Sequence, residues 1–335
     1  MKYPEFAKYW ACKLGANSEE PEKLSGGINN QVYLCRSEHG NWVIKGYPVP
    51  KPGQRDRMKA EVDFLRYSAH VAQGFAPVLV EVDTSRRCTV MEHIQGDSYP
   101  EGCSPCESDL EAAFEFIHKL NSDMELAAQM IKMDAADGFL SLRQHMTNVR
   151  ERLSAMGTEH LPHQYQAQAR IIIDELYAHT EIVDKRLESR INSSMVEDTL
   201  SPDECCVSPS DFGFHNAIRM QKGVKFIDFE FAGWDDPCKL CVDFVLQQRN
   251  PVPLKSIDIV ARLFPGRETI VKDRIYALTE ILSLKWLCII MGILDPNKLS
   301  QMASHQCYLT SGEAVIRQLR RYYDYCERMA LVQIM

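Results

Sequence analysis

Apolar and polar positions follow two regimes along this chain. Up to about residue 96, short apolar runs alternate with turns. Residues 31–35 and 42–45 are two such runs around the polar turn at 38–41, inside a stretch, 22–47, that reads as strands. Residues 55–73 read as a helix, because Met58, Val62, Leu65 and Ala69 recur at helical spacing and Gly74 supplies the stop. Two more strand-like runs, 78–82 and 88–93, surround the polar turn at 83–87. The pattern predicts an antiparallel sheet carrying one helix. Ahead of it, residues 1–15 read as an amphipathic helix with Phe6, Trp10 and Leu14 on one side.

Beyond Gly96 helical periodicity dominates, over about 107–121, 139–155, 163–191, 254–264, 269–294 and 311–332. One stretch interrupts it: a polar loop from residue 207, followed by short strand-like runs at 217–220 and 224–227. The fold class is therefore α+β, a small antiparallel-sheet lobe (1–92) followed by a larger, mostly helical lobe (93–335). The joint lies at Met91 to Gly96, where the last strand of the sheet ends.

Composition narrows the functional classes. A chain of 335 residues can bury a core in each of two lobes. Its net charge of −8 disfavours a sequence-independent nucleic-acid binder, which needs a basic surface to displace counterions. No secretory leader is visible, and the longest apolar run, 286–294, falls far short of the ~20 residues of a membrane span. The expectation is a cytoplasmic protein. Cysteines inside apolar segments, such as Cys35, Cys88 and Cys288, read as reduced core residues, and the pairs Cys103/Cys106 and Cys238/Cys241 as a loop and a helix start rather than a zinc site.

Three places carry candidate chemistry. Gly26 and Gly27, with Asn29 nearby, form a loop whose backbone N–H groups could approach phosphate oxygens; taken alone, such a pair is more often a turn. Lys45 ends an apolar strand, where its ammonium could hold phosphates, and Glu61 on the following helix could pair with it. Asp63 falls on another side of that helix. The third place is the most specific. Asp211 and Asn216 sit in the polar loop SDFGFHN, and Asp228 ends an apolar run reading FIDFE. D-x-x-x-x-N followed by D-F is the order of kinase active sites, in which one carboxylate takes the acceptor hydroxyl's proton and an amide and a second carboxylate offer oxygen atoms to a hard cation.

This order of glycine loop, strand lysine, helix glutamate, D-x-x-x-x-N and D-F-E resembles the aminoglycoside phosphotransferase and choline kinase superfamily more closely than the protein kinases. Residues 25–30 (SGGINN) are similar to its serine-glycine-glycine loop, residues 226–237 (FIDFEFAGWDDP) to its metal motif and the turn after it, and residues 116–121 (FIHKLN) to its first large-lobe helix. The resemblance spans about 20–295. It implies a two-lobed protein-kinase-like fold, ATP and Mg2+ as cofactors, and a small-molecule alcohol as acceptor. It further implies phosphate binding by Gly26, Gly27, Asn29 and Lys45, orientation of Lys45 by Glu61, and a hinge at Met91, Glu92, His93 and Ile94 that reads adenine. Asp211 would be the catalytic base, Asn216 and Asp228 the metal ligands, and Asp243 a brace for the catalytic loop.

Two departures stand out. Pro209 replaces the histidine usual two residues before the catalytic aspartate, and Gly213-Phe214-His215 replaces a histidine-proline-glycine stretch. They motivate an alternative, a catalytically inactive nucleotide-binding regulator of the same fold. For the acceptor, Glu230 could attract a cation, Asp235 and Asp236 read as a solvated turn, and Trp234, Trp286, Tyr322, Tyr323 and Tyr325 could offer ring faces to a quaternary ammonium. Lys285 points the other way, towards a sugar or an anionic metabolite.

Overall fold

The computed structural model describes residues 4–16, 20–24, 30–190, 196–263, 268–298 and 312–333. It divides the chain into two compact units: residues 1–138 with 206–235, and residues 139–205 with 236–335. The first unit thus joins the sheet to the polar loop that carries the candidate catalytic residues.

In that unit, β1 (Glu22–Lys23), β2 (Gln31–Ser37), β3 (Gly40–Gly46), β4 (Leu79–Asp83) and β5 (Cys88–Glu92) form one antiparallel sheet in the order β1-β2-β3-β5-β4. β3 is central, which sets Lys45 opposite Val32 on one side and Thr89 on the other. Helix α1 (Glu5–Lys13) packs Phe6, Trp10 and Leu14 on a cluster of Ala11, Cys35, Ile44 and Cys88, the face that the periodicity picks out. Helix α2 (Arg57–Val71) starts at Asp56, whose carboxylate accepts the Lys59 N–H, and buries Met58 and Val62 beside Tyr47, Leu79 and Val82.

The same unit holds α3 (Glu107–Leu120), α4 (Met124–Met130) and five short strands: β6 (Asp97–Ser98), β7 (Cys206–Ser208), β8 (Ala217–Arg219), β9 (Val224–Phe226) and β10 (Gly233–Asp235). β6, β8 and β9 make a three-stranded sheet, and β7 pairs with β10. Gly96 is required where the chain enters β6, since a Cβ there would lie 2.3 Å from the Arg219 carbonyl oxygen. An aromatic cluster ties these pieces together. Phe116 stacks on Phe226 at 5.2 Å between ring centroids, Phe64 stacks on Phe229 at 4.4 Å, and Phe212 meets Phe226 at 4.9 Å.

The second unit is helical: α5 (Leu142–Ser154), α6 (His163–Arg190), the helices Pro237–Leu246, Ser256–Ala261 and Glu268–Ile290, a 3-10 turn at Gly292–Leu294, and Gly312–Gln333. Its core runs through Leu142, Met146, Ile172, Val242, Ile281, Leu282 and Met291. None of the described helices is long and apolar enough to cross a membrane. Tyr322 and Tyr325 belong to this core, and the Trp286 indole N–H donates to Asp243, so these rings serve packing.

A charged cluster is buried here. Both Asp243 oxygens accept from Lys285, at 2.7 and 2.8 Å, and Lys239 lies 3.5 Å away. Burial works against the Asp243 charge, but Lys285 and Lys239 outweigh it and hold the carboxyl below its ordinary range. Lys285, ambiguous in the sequence, is the counter-ion of Asp243. Asp235 and Asp236 overturn the reading of a solvated turn, because both are fully buried. Asp236 caps the helix Pro237–Leu246 and accepts from Arg274 at 2.7 Å; a carboxylate with such partners can leave water.

His145 has a testable consequence. It is 2% exposed, and burial, with Lys239 and Lys285 adding to it, depresses its pKa well below the ordinary 6.5. The folded chain keeps the imidazole neutral where the unfolded chain takes up a proton, so stability falls as pH drops below about 6.5, down towards the folded pKa. Urea midpoints should decline from pH 7 to pH 5, and His145→Asn should flatten that decline. An unchanged slope in the variant would assign the acid sensitivity elsewhere.

Candidate active site

Lys45 anchors the site. It is 5% exposed, and its ammonium donates to Glu61 at 2.6 Å and to Asp228 at 2.5 Å. Burial alone would lower its pKa, yet the Glu61 and Asp228 carboxylates overcome this and hold it well above the ordinary lysine value. Lys45 therefore stays a cation at neutral pH. Glu61, 1% exposed, is fixed by two further donors: the Tyr47 hydroxyl at 2.7 Å and the Phe229 N–H at 3.2 Å. Asp63 instead pairs with Lys59 on the same helix.

Asp228 and the loop are joined by the backbone, through the Ile227 N–H donating to the Asn216 carbonyl at 2.8 Å. Each acidic residue precedes a phenylalanine sunk in the aromatic cluster, Asp211 before Phe212 and Asp228 before Phe229. The apolar anchors hold the backbone while the carboxylates stay half-exposed. Of the four non-glycine residues in the left-handed region among the described residues, two belong to the site, Ser210 at φ 66° and Asp228 at φ 67°. Such conformations cost of order 1–3 kcal/mol and persist where the surroundings enforce them. Around Ser210 those surroundings are hydrogen bonds to Ser208 and to the Ala136 carbonyl.

Within the loop, Asn216 donates from Nδ2 to the Asp211 carbonyl at 3.0 Å and to its Oδ2 at 3.3 Å, which leaves its amide oxygen as an acceptor. His215 Nε2 lies 3.0 Å from Asp211 Oδ1. The segment after Asp228 is strapped down: Arg55 donates to the carbonyls of Glu230, Asp134 and Ala232, while Asn30 and Arg57 donate to the Glu230 carboxylate. Glu230 is 1% exposed, so it is not an open acidic surface. Burial and the neighbouring Asp228 push its pKa up.

Of the hinge residues, Met91 and Glu92 lie on β5, and Glu92 also pairs with Lys225. The Glu92 and His93 N–H groups donate to Val78 and Asn41 carbonyls, whereas the Ile94 N–H has no partner among the described residues. Gly26, Gly27 and Asn29 lie outside the described residues. Tyr47, Arg55 and Arg57 went unread in the sequence. Tyr47 was accessible, since it stands two positions after Lys45, one residue past the end of β3, where an extended chain still puts both side chains on one side. Arg55 carried no local signal.

With this geometry in place, comparisons with known proteins fix the class. A sequence model described as the phosphotransferase enzyme family matches residues 20–239. No curated protein sequence matches the chain. Among solved structures the chain is similar to a choline/ethanolamine kinase family protein from Mesorhizobium loti, at 16% identity and TM-score 0.53, covering 95% of this chain and 99% of that one. It is also similar to the choline kinase LicA from Streptococcus pneumoniae, at 13% identity and TM-score 0.55, covering 96% and 98%. A third is a spectinomycin phosphotransferase solved with ADP and spectinomycin, at 12% identity and TM-score 0.60, covering 96% and 95%. The chain belongs to the phosphotransferase enzyme family, and it shares the protein-kinase-like fold of the choline kinase and the spectinomycin phosphotransferase.

Proposed function

We propose that this enzyme is an ATP-dependent kinase that moves the γ-phosphate to a hydroxyl of a small metabolite in the cytoplasm. The observation that carries the reading is the buried Lys45, held between Glu61 and Asp228, with Asp228 tied through the backbone to the loop bearing Asp211 and Asn216. The structure of the spectinomycin phosphotransferase with ADP and spectinomycin supports the nucleotide and a small-molecule acceptor.

Lys45 would meet the α- and β-phosphates, taking them in exchange for part of its contact with Asp228. Gly26, Gly27 and Asn29 would supply further donors to the phosphates. The Ile94 N–H, with the carbonyls of Met91, Glu92 and His93 beside it, would read the adenine edge from residues 91–94, at the joint of lobes 1–92 and 93–335. The amide oxygen of Asn216, which has no partner among the described residues, and the half-exposed carboxylate of Asp228 are hard donors that suit Mg2+. Bound there, magnesium would neutralise phosphate charge. Asp211 would accept the proton of the acceptor hydroxyl as its oxygen bonds to the γ-phosphorus and ADP leaves.

The test is ADP formation from Mg-ATP over a panel of choline, ethanolamine, aminoglycosides, hexoses and amino-acid alcohols. At least one acceptor should raise ADP formation well above hydrolysis by water. No acceptor stimulation, with no rise of the melting temperature in Mg-ATP, would sink the reading.

A further inference from the structure

We propose that His215 is a positioning residue for Asp211, holding the carboxylate in the orientation in which it takes the acceptor's proton. The proposal rests on the kinase reading above. An ionised carboxylate only accepts hydrogen bonds, so the His215 nitrogen 3.0 Å from Asp211 Oδ1 must carry the hydrogen. His215 Nε2–H and Asn216 Nδ2 then hold the two Asp211 oxygens from neighbouring positions of one turn, Phe214–Asn216. The Asp211 side chain is 42% exposed, so these two donors bear directly on its orientation. The imidazole is suited to this, since it is only 10% exposed.

Fold stability does not account for the residue. Nδ1 of His215 is buried and has no hydrogen-bond partner among the described residues, so the ring's one polar contact is Asp211. A buried polar atom left unpaired costs stability, and an apolar side chain would fill the position without that cost. What the imidazole adds is the hydrogen bond to the base.

Kinetics of His215→Ala and His215→Gln in the full chain, with the acceptor from the panel, test this. Glutamine places an amide N–H near the position of Nε2; alanine has no donor. His215→Ala should lower kcat about 10- to 100-fold, the scale of a misplaced catalytic group. KM for ATP and for the acceptor should stay within about twofold on the same ground, because the lost contact orients the base and touches neither substrate. His215→Gln should recover most of the loss at a matched melting temperature. Equal kcat in the two variants, or a loss that appears in KM for ATP, overturns the proposal. A wild type without turnover sinks the kinase reading instead. The hydrogen bond is then read by 15N–1H NMR of the imidazole: a Nε2–H resonance that disappears in Asp211→Ala is expected, and its absence from the wild type overturns the assignment.

Discussion

Asp211→Asn is expected to slow phosphate transfer on the order of 10²–10⁴-fold, the range lost with a general base, while leaving the fold intact. Asparagine has the same shape and offers an amide oxygen where Oδ1 or Oδ2 now accepts from His215 and Asn216. It cannot take a proton. The loss should therefore appear in kcat, with the affinity for Mg-ATP close to that of wild type, because the contacts assigned to the phosphates belong to Lys45, Gly26, Gly27 and Asn29 and those assigned to the metal to Asn216 and Asp228. Single-turnover kinetics and ATP titration calorimetry separate the two quantities. An Asp211→Asn enzyme with wild-type turnover would remove Asp211 from the chemistry.

The largest effect on stability is expected at Asp243. Replacing it with alanine deletes the carboxylate that Lys285 bonds through both oxygens and leaves that ammonium buried beside Lys239. Breaking a buried pair in this way costs about 3–5 kcal/mol. The Trp286 N–H loses its acceptor as well. Urea unfolding should show the midpoint falling sharply with little change in slope. A loss under about 1 kcal/mol would mean that the lysine finds water, and that the cluster contributes little to the helical unit. Among the described residues Asp243 pairs with Lys285, Lys239 and Trp286, contacts that join two helices of that unit.

The parts legible in the sequence were those written in local spacing. Short apolar runs between polar turns marked β2, β3 and β5, and the recurrence of Met58, Val62 and Leu65 marked α2. Glu61 was readable as the partner of Lys45 because the turn of the helix separates it from Asp63, and the two ion pairs show that separation. Features that depend on distant segments escaped. β7 and β10 are three residues each and exist because they pair with one another. Asp235 and Asp236 look like a surface turn until the capped helix and Arg274 enclose Asp236. Arg55 is one polar residue before a helix, and only the folded chain brings three carbonyl oxygens to its guanidinium. The His215 contact could have been suspected from its place four residues after Asp211, yet a loop does not fix direction as a helix does.

The most direct test of the central claim follows the γ-phosphate itself. ATP labelled at the γ-phosphate is incubated with magnesium, the stimulating acceptor and either wild type or Asp211→Asn. Wild type should place the label on the acceptor, one per ADP formed, and the variant almost none over the same time. Label appearing only as inorganic phosphate, or on the acceptor at equal rates with both proteins, would contradict that claim.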